Sequence, residues 1–249
     1  MSKLKAFVIH LFISIAIVTC VVILMLILWY PGAYFKLMGG KKLIFLISGI
    51  DVFLGPLLTL IVFKAGKKSL TLDLTCIAIL QIVAMGYGLY VMFLSRPVFT
   101  VFSKDAFYVA SSIDIVPSEL AKAKKYEWRS LSITGPKIVS TIPPIKNDKQ
   151  EFAIQNLYVQ IGVIQDFPRF YDDYTKHQAE VILTGRTLNK LISNNPGNKE
   201  EVDRFLKITK LPIDNFLWLP ISSVVSEMTA IVDAKTGEFI EIIDAKPTK

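Results

Sequence analysis

Three long apolar stretches near the start of this 249-residue chain constrain its fold more than any other feature. They cover residues 6–30, 43–63 and 74–94. Each reaches the roughly 20 residues that a helix needs to cross about 30 Å of hydrocarbon at about 1.5 Å per residue. Because lipid offers the backbone no hydrogen-bond partner, a segment inside it must satisfy its own polar groups. The sequence therefore predicts a three-helix transmembrane bundle over residues 1–96, embedded in the lipid bilayer.

The first apolar stretch resembles a secretory signal at its start, where Lys3 and Lys5 precede the apolar run. It is longer than such signals, and no small-residue cleavage site follows it. We therefore interpret it as an uncleaved anchor. Four aromatic residues at its end are predicted to form a belt at the bilayer interface: Trp29, Tyr30, Tyr34 and Phe35.

Excess positive charge is confined to the flanks of the apolar stretches. Nine of the 28 Lys and Arg residues and two of the 21 Asp and Glu residues lie in residues 1–96, which leaves a neutral remainder. A nucleic-acid-binding domain presents clustered positive charge, so nucleic acid is not an expected partner. Five basic residues in the segments on the N-terminal side, against four on the other, favour a cytoplasmic N-terminus. Three crossings then place the C-terminal domain outside the cytoplasm, in the periplasm of a cell that has one.

One carboxylate, Asp51, lies in the middle of the second apolar stretch. A charge at that depth costs about 2.5–3.5 kcal/mol, so this side chain should face the bundle interior and hold a proton or a partner. Counting about 1.5 Å per residue from the cytoplasmic ends places Thr19 and Tyr87 at a similar depth, with Gln81 about a turn away. Two interpretations stay open: a hydrogen-bonded peg that locks the helices together, or recognition of a polar group on another membrane helix. A proton relay needs a chain of titratable groups, and only His10, near one end, is available.

Small residues and a proline near Asp51 are expected to shape the helices. Gly55 and Pro56 should weaken the second helix one turn away. Gly86 and Gly88 should make the third helix thin enough for close approach.

Strand and helix patterns predict an α+β soluble domain over residues 97–249. Residues 98–110 and 228–243 have hairpin patterns, the second with Gly237 where a positive φ is needed. Strands at both ends with helices between them suggest that the terminal hairpins share a sheet. The remaining predictions are helices over 119–128, 175–193 and 199–209, an ambiguous segment over 150–163, and a strand or loop punctuated by Gly135-Pro136 and Pro143-Pro144.

The soluble domain lacks the combinations of residues that form known catalytic or metal-binding sites. Both cysteines, Cys20 and Cys76, lie in apolar stretches, so the domain has no thiol for a disulfide or a metal. Its one histidine, His177, follows Asp173 by four residues and would share a helix face with it. A structural metal site takes about four ligands, so a solvated helix start is the favoured interpretation. We predict no catalytic residue, no cofactor and no metal, and therefore no enzyme.

Several motifs together resemble the TfpX/TfpZ family of type IV pilin accessory proteins. The membrane part carries Trp29-Tyr30-Pro31-Gly32, Gly49-Ile50-Asp51-Val52, the run 54–63, Lys67-Lys68-Ser69-Leu70, Asp73-Leu74, Tyr87-Gly88 and Arg96-Pro97-Val98. Looser landmarks follow in the soluble part at 167–171, Leu219-Pro220, 228–230, 232–234 and 236–238. The resemblance implies a multi-pass protein of the bacterial inner membrane with a periplasmic domain, which helps a particular major pilin to accumulate or assemble into fibres. It implies no catalytic residues.

The resemblance leads to a hypothesis about partners. The bundle around Asp51, Gly55, Pro56 and Tyr87 would receive the apolar helix of a type IV major pilin, while the soluble domain screens the pilin head. Inner-membrane components of the pilus assembly machinery are further candidate partners. The alternatives are a membrane-tethered periplasmic sensor or ligand-binding protein, and an enzyme using Asp51 or the aspartates beside His177.

Overall fold

The computed structural model describes residues 2–142 and 149–247, and its N-terminal part is helical. Two helices there are long and apolar enough to cross a membrane, α1 (Lys3–Leu28) and α5 (Leu70–Leu94). They begin and end near the predicted bounds. Three further helices lie between them: α2 (Tyr34–Leu37), α3 (Gly40–Ser48) and α4 (Gly55–Val62).

The second apolar stretch is one continuous helical segment with a change of hydrogen bonding in its middle. A π-helix, Gly49–Leu54, joins α3 to α4, and the Gly55 N–H donates to the Ile50 carbonyl. The cause is Pro56, which has no N–H and whose ring collides with the carbonyl four residues before it in a regular helix. The predicted weakening next to Gly55 and Pro56 is therefore a π-turn that contains Asp51. Segment α4 packs between α1 and α5.

The C-terminal part is built on one eight-stranded mixed sheet. The strand order is β4-β3-β1-β2-β6-β7-β8, and β5 pairs with β6. The strands are β1 (Pro97–Ser103), β2 (Ala106–Ser111), β3 (Lys137–Thr141), β4 (Tyr171–Asp172), β5 (Arg186–Thr187), β6 (Phe216–Ser222), β7 (Glu227–Asp233) and β8 (Phe239–Ile243).

Both predicted hairpins are confirmed, and they share the sheet. Strands β1 and β2 pair antiparallel, as do β7 and β8, and Gly237 has a φ of +70° in the second turn. Strand β6 joins the two hairpins, lying parallel to β2 and antiparallel to β7. Sequence patterns did not predict β6, because Pro220 cannot donate to a ladder and argues against a central strand.

The predicted helices of the domain have mixed outcomes. Helix α10 (Lys199–Thr209) is confirmed, and the ambiguous segment forms α7 (Lys149–Gln160). The predicted helix over 119–128 is wrong, since only α6 (Pro117–Leu120) and a 3-10 turn, Tyr126–Trp128, form there. Packing of Trp128 and Ala123 under the sheet outweighs the local helical pattern. The Gly135-Pro136 pair precedes β3, whereas Pro143-Pro144 lies outside the described residues.

The predicted helix over 175–193 is also wrong as a single element. It divides into a 3-10 turn at Tyr174–His177, α8 (Gln178–Thr184), strand β5 and α9 (Leu188–Asn194). The break follows Gly185, where an added Cβ would lie 2.9 Å from the Leu217 side chain. Glycine thus lets the chain approach β6 closely enough for β5 to pair with it.

The segment between α1 and α3, which we call the first loop (residues 29–39), packs onto the sheet. The Tyr30 hydroxyl donates to the Met92 carbonyl at 2.7 Å, and the Tyr34 hydroxyl lies 2.6 Å from that of Thr100. Hydroxyls of Ser223 and Ser226 donate to the Leu37 carbonyl at 2.7 and 2.9 Å. Tyr30, Tyr34 and Leu37 are buried. The predicted aromatic belt is therefore wrong for the two tyrosines, which belong to the core under the sheet.

Candidate functional site

A groove of about 710 Å³ runs between α1 and α5, with the π-helix and α4 as its floor. Apolar side chains form most of its wall: Ala6, Ile9, Ile13, Ile17, Phe63, Leu74, Ala78, Ile82, Met85 and Leu89, with Gly86 among them. The polar residues that line it are His10, Ser14, Asp51, Thr59 and Gln81. A long apolar groove with a small polar group of residues at its base suits an apolar ligand that presents few polar atoms.

A hydrogen-bonded network ties the three helical segments together inside this groove. His10 on α1 lies 2.6 Å through Nδ1 from Thr59 Oγ1 on α4. Its Nε2 lies 3.0 Å from Gln81 Oε1 on α5. The Gln81 amide then donates to the Asp51 carbonyl at 3.2 Å. His10 is thus the polar side chain that links all three helical segments.

Asp51 is buried between the helical segments, facing inward as the sequence predicts, but its neighbours differ from those expected. Its side chain is 4% exposed, whereas that of Tyr87 is 68% exposed and that of Thr19 is also exposed. Neither hydroxyl bonds to Asp51, so the pairing inferred from depth is wrong. Counting residues gives a depth but no rotation about the helix axis, and rotation turns these two hydroxyls outward.

The glycines near the network have distinct roles. A Cβ on Gly55 would lie 2.1 Å from Gln81 Nε2, so the missing side chain makes room for the Gln81 amide. A Cβ on Gly86 would meet nothing within 4 Å, because this glycine opens onto the groove. Gly88 is buried, in keeping with close helix approach, while Gly86 instead widens the groove.

Sequence reasoning set His10 aside, although it lies at the centre of the network. The missed signal is that each apolar stretch carries a side chain able to hydrogen-bond twice: His10, Asp51 and Gln81. In lipid such groups are costly unless they pair with one another. That rule predicts a shared contact even where depth along the helices does not.

In the soluble domain the aspartates near His177 form a surface cluster. His177 Nε2 lies 3.4 Å from Asp172, rather than sharing a face with Asp173 as expected. Burial alone would raise the pKa of Asp172, but hydrogen bonds from Lys176, the Asp173 N–H and His177 lower it to about 2. Within residues 2–142 and 149–247, no three His, Cys, Asp or Glu side chains are grouped closely enough to hold a metal ion.

The chain is similar to proteins of fimbrial assembly. The family model described as fimbrial assembly protein FimB matches residues 1–39, which cover α1 and the first loop. A fimbrial assembly protein of serogroup E1 from Dichelobacter nodosus is 29% identical over 218 residues, 86% of this chain and 84% of the relative. The counterpart from serogroups C1 and C2 of the same organism is 42% identical over 117 residues, 46% of this chain and 89% of the relative. No solved structure matches the chain.

Proposed function

The chain belongs to the fimbrial assembly protein family, and on that premise we propose that it binds and stabilises a type IV major pilin in the inner membrane and so promotes its accumulation or assembly into pili. The finer assignment to the TfpX/TfpZ family is part of this proposal. The observation that carries it is the groove between α1 and α5, which is lined mostly by apolar side chains. An apolar helix lying in the same bilayer fits such a groove.

The contact between the first loop and the sheet supports three membrane crossings. The first loop follows α1 and the sheet follows α5, yet Tyr34 and Thr100 are hydrogen-bonded, so both lie on one side of the bilayer. An even number of crossings must separate two segments on the same side. If α5 crosses, residues 40–62 therefore cross as well, and their length of about 34 Å exceeds the roughly 30 Å of hydrocarbon.

We further propose that the N-terminus is cytoplasmic and the sheet domain periplasmic. A pilin before assembly has its apolar helix in the inner membrane and its head in the periplasm. A partner with a membrane groove and a tethered domain contacts both, and the first contact makes the second effectively intramolecular. A reporter fused to the C-terminus should be active in the periplasm; activity in the cytoplasm alone would contradict this orientation and the proposed role.

In-cell photo-crosslinking tests the groove. A photoreactive residue at Ile13 or Ile82, which line the groove, should capture pilin. The matched controls are Phe12 and Ile79, which are exposed on the same helices but do not line it. Equal capture from groove and control positions, or capture from the controls alone, would contradict groove binding.

A steric variant gives a second measurement. Gly86→Leu fills open space within the groove, so we expect pilin levels and co-purified pilin to fall several-fold. Gly49→Leu makes the same change at a helical glycine that also meets open space and does not line the groove. It should leave pilin recovery near the wild-type level.

We propose that this role does not involve catalysis. The strongest reactive candidate, His177 with Asp172, has ring nitrogens at 3.4 Å from carboxylates and no thiol in the domain to activate. Replacing Asp172, Asp173 and His177 together should leave pilus production unchanged. Loss of pili from a variant that still folds would revive an enzymatic role.

A further inference from the structure

Three of the five polar residues that line the groove, His10, Thr59 and Gln81, are hydrogen-bonded through their side chains. His10 uses both ring nitrogens, one on Thr59 and one on Gln81. Gln81 accepts from or donates to His10 through Oε1 and donates through Nε2 to the Asp51 carbonyl. None of these contacts uses the Asp51 carboxyl oxygen Oδ2.

That oxygen is buried and has no hydrogen-bond partner. Among the described residues, five buried side-chain atoms lack one, and Asp51 Oδ2 is the one that belongs to the helical part. Asp51 is 4% exposed, and it lines the groove. An unpaired buried polar group costs about 1–3 kcal/mol, and more when it is charged, so a ligand that pairs with it recovers that cost.

We infer that Asp51 forms a polar subsite for a hydrogen-bond donor carried by the apolar helix that enters the groove. The inference rests on the proposed function and specifies which chemical group of the bound helix the groove recognises. Beyond the first turn, the backbone N–H groups of an incoming helix are used within that helix, so away from the helix start the donor is a side chain. Ammonium, amide and hydroxyl groups are the candidates, because a carboxyl oxygen with no partner accepts a hydrogen bond.

The stability of Asp51 variants distinguishes a ligand subsite from the alternative role of Asp51 as a hydrogen-bonded peg between the helices. If Asp51 locked the helices together, replacing it would destabilise the bundle. If its unpaired oxygen is a ligand site, Asp51→Asn removes the cost of burying a charge in a side chain of the same size, while the backbone contact with Gln81 remains. The thermal midpoint of the full chain in nanodiscs should then stay the same or rise, and a clear fall would overturn the inference.

Binding of designed helices tests the subsite directly. The probes are apolar transmembrane peptides with one Lys, Asn, Glu or Leu placed at successive positions, and binding to the full chain in nanodiscs is measured by energy transfer. We expect Lys or Asn to strengthen binding about 3- to 20-fold over Leu, at one level and one helix face. Glu should give such a gain only when it is protonated and can donate its O–H, because an ionised Glu presents acceptors alone. In Asp51→Leu the gain should disappear, and this double-mutant comparison cancels the cost of inserting each peptide.

The outcomes distinguish the subsite from the groove itself. If all peptides bind the wild type equally, or if the gain survives in Asp51→Leu, the subsite is wrong while groove binding stands. If no peptide binds, both the subsite and the groove as a helix-binding site are wrong. Asp51→Asn, which keeps an acceptor oxygen, should retain part of the gain and so shows that a loss in Asp51→Leu does not come from misfolding.

Discussion

The helical part and the sheet domain place their large apolar side chains in opposite directions. Phe12 on α1 is 67% exposed and Phe45 on α3 is 80% exposed, whereas Phe99, Phe107 and Trp218 in the sheet are fully buried. The sheet domain hides apolar surface as a protein in water does. The helical part instead presents apolar surface outward, as a protein dissolved in lipid does. The sheet domain is therefore held together mainly by packing of large buried side chains. The helical segments are linked to one another by a few polar contacts.

The first loop joins these two regions. By sequence it belongs to the apolar half, but Tyr30, Tyr34 and Leu37 share a core with the sheet residues Phe107 and Leu219. The groove is therefore attached to the sheet through packed side chains as well as through the chain itself.

The largest expected effect contrasts burial in the two regions. Trp218→Ala removes a fully buried side chain and should lower the free energy of unfolding by about 4 kcal/mol. Phe12→Ala on the outer face of α1 should change it by less than about 0.5 kcal/mol. Chemical denaturation of the full chain in mild detergent, followed by circular dichroism, measures both. Similar decreases in the free energy of unfolding of the two variants would contradict this difference between the sheet domain and the helical part.

An intermediate effect concerns a carboxyl group of the sheet domain. Burial, with the negative charge of Asp114 in addition, raises the pKa of Asp166 to about 7 from its ordinary 3.8. The folded state then binds more protons than the unfolded state between these values, so stability should fall as pH rises from about 4 to about 7. Asp166→Asn should flatten this dependence and add about 2 kcal/mol at pH 8 relative to the wild type.

Thermal melting at several pH values measures this effect. Asp203→Asn, at an exposed carboxylate on α10, is the matched control and should keep the wild-type profile. An unchanged pH dependence in Asp166→Asn would show that other groups are responsible.

The smallest effect tests the attachment of the first loop. Tyr34→Phe removes the hydroxyl that lies 2.6 Å from Thr100 Oγ1 and should cost about 1 kcal/mol. Tyr90→Phe on α5, where the side chain is exposed, should cost nothing measurable. Melting temperature and protease cleavage within the first loop report the change. Equal behaviour of the two variants would mean that the loop is held by packing alone.

Secondary structure was predicted correctly where it depends on neighbouring residues in the sequence. It was predicted wrongly where it depends on contacts with a distant strand. The two hairpins follow from period-two patterns around short turns, and helix α10 from its amphipathic spacing. Strand β6 was missed, because its Pro220 argues against the central position that β2, β5 and β7 enforce from both sides. The 175–193 segment was misjudged because Gly185 permits a strand pairing that no local pattern reveals.

The candidate site divides in the same way. That Asp51 lies inside the bundle, and that Gly55 and Pro56 disturb the helix beside it, follows from the cost of a carboxylate in lipid and from the chemistry of proline. The hydrogen-bond partners of the polar groups cannot be predicted in this way. Counting residues gives the depth of a side chain along a helix, but it gives neither the rotation of the helix about its axis nor the packing of its side chains. His10 contacts Thr59 and Gln81 through separations of 49 and 71 residues, which only the folded chain brings together.

By itself the sequence determined that long apolar helices occupy the first hundred residues and that a neutral sheet-containing domain follows, since hydropathy, charge and turn chemistry are properties of short segments. The tertiary structure decided which side chains meet: the open groove, the polar network at its base, and the burial of Tyr30 and Tyr34 under the sheet. These depend on how helices rotate and on which surface covers another, and both are set by the packing of the whole chain.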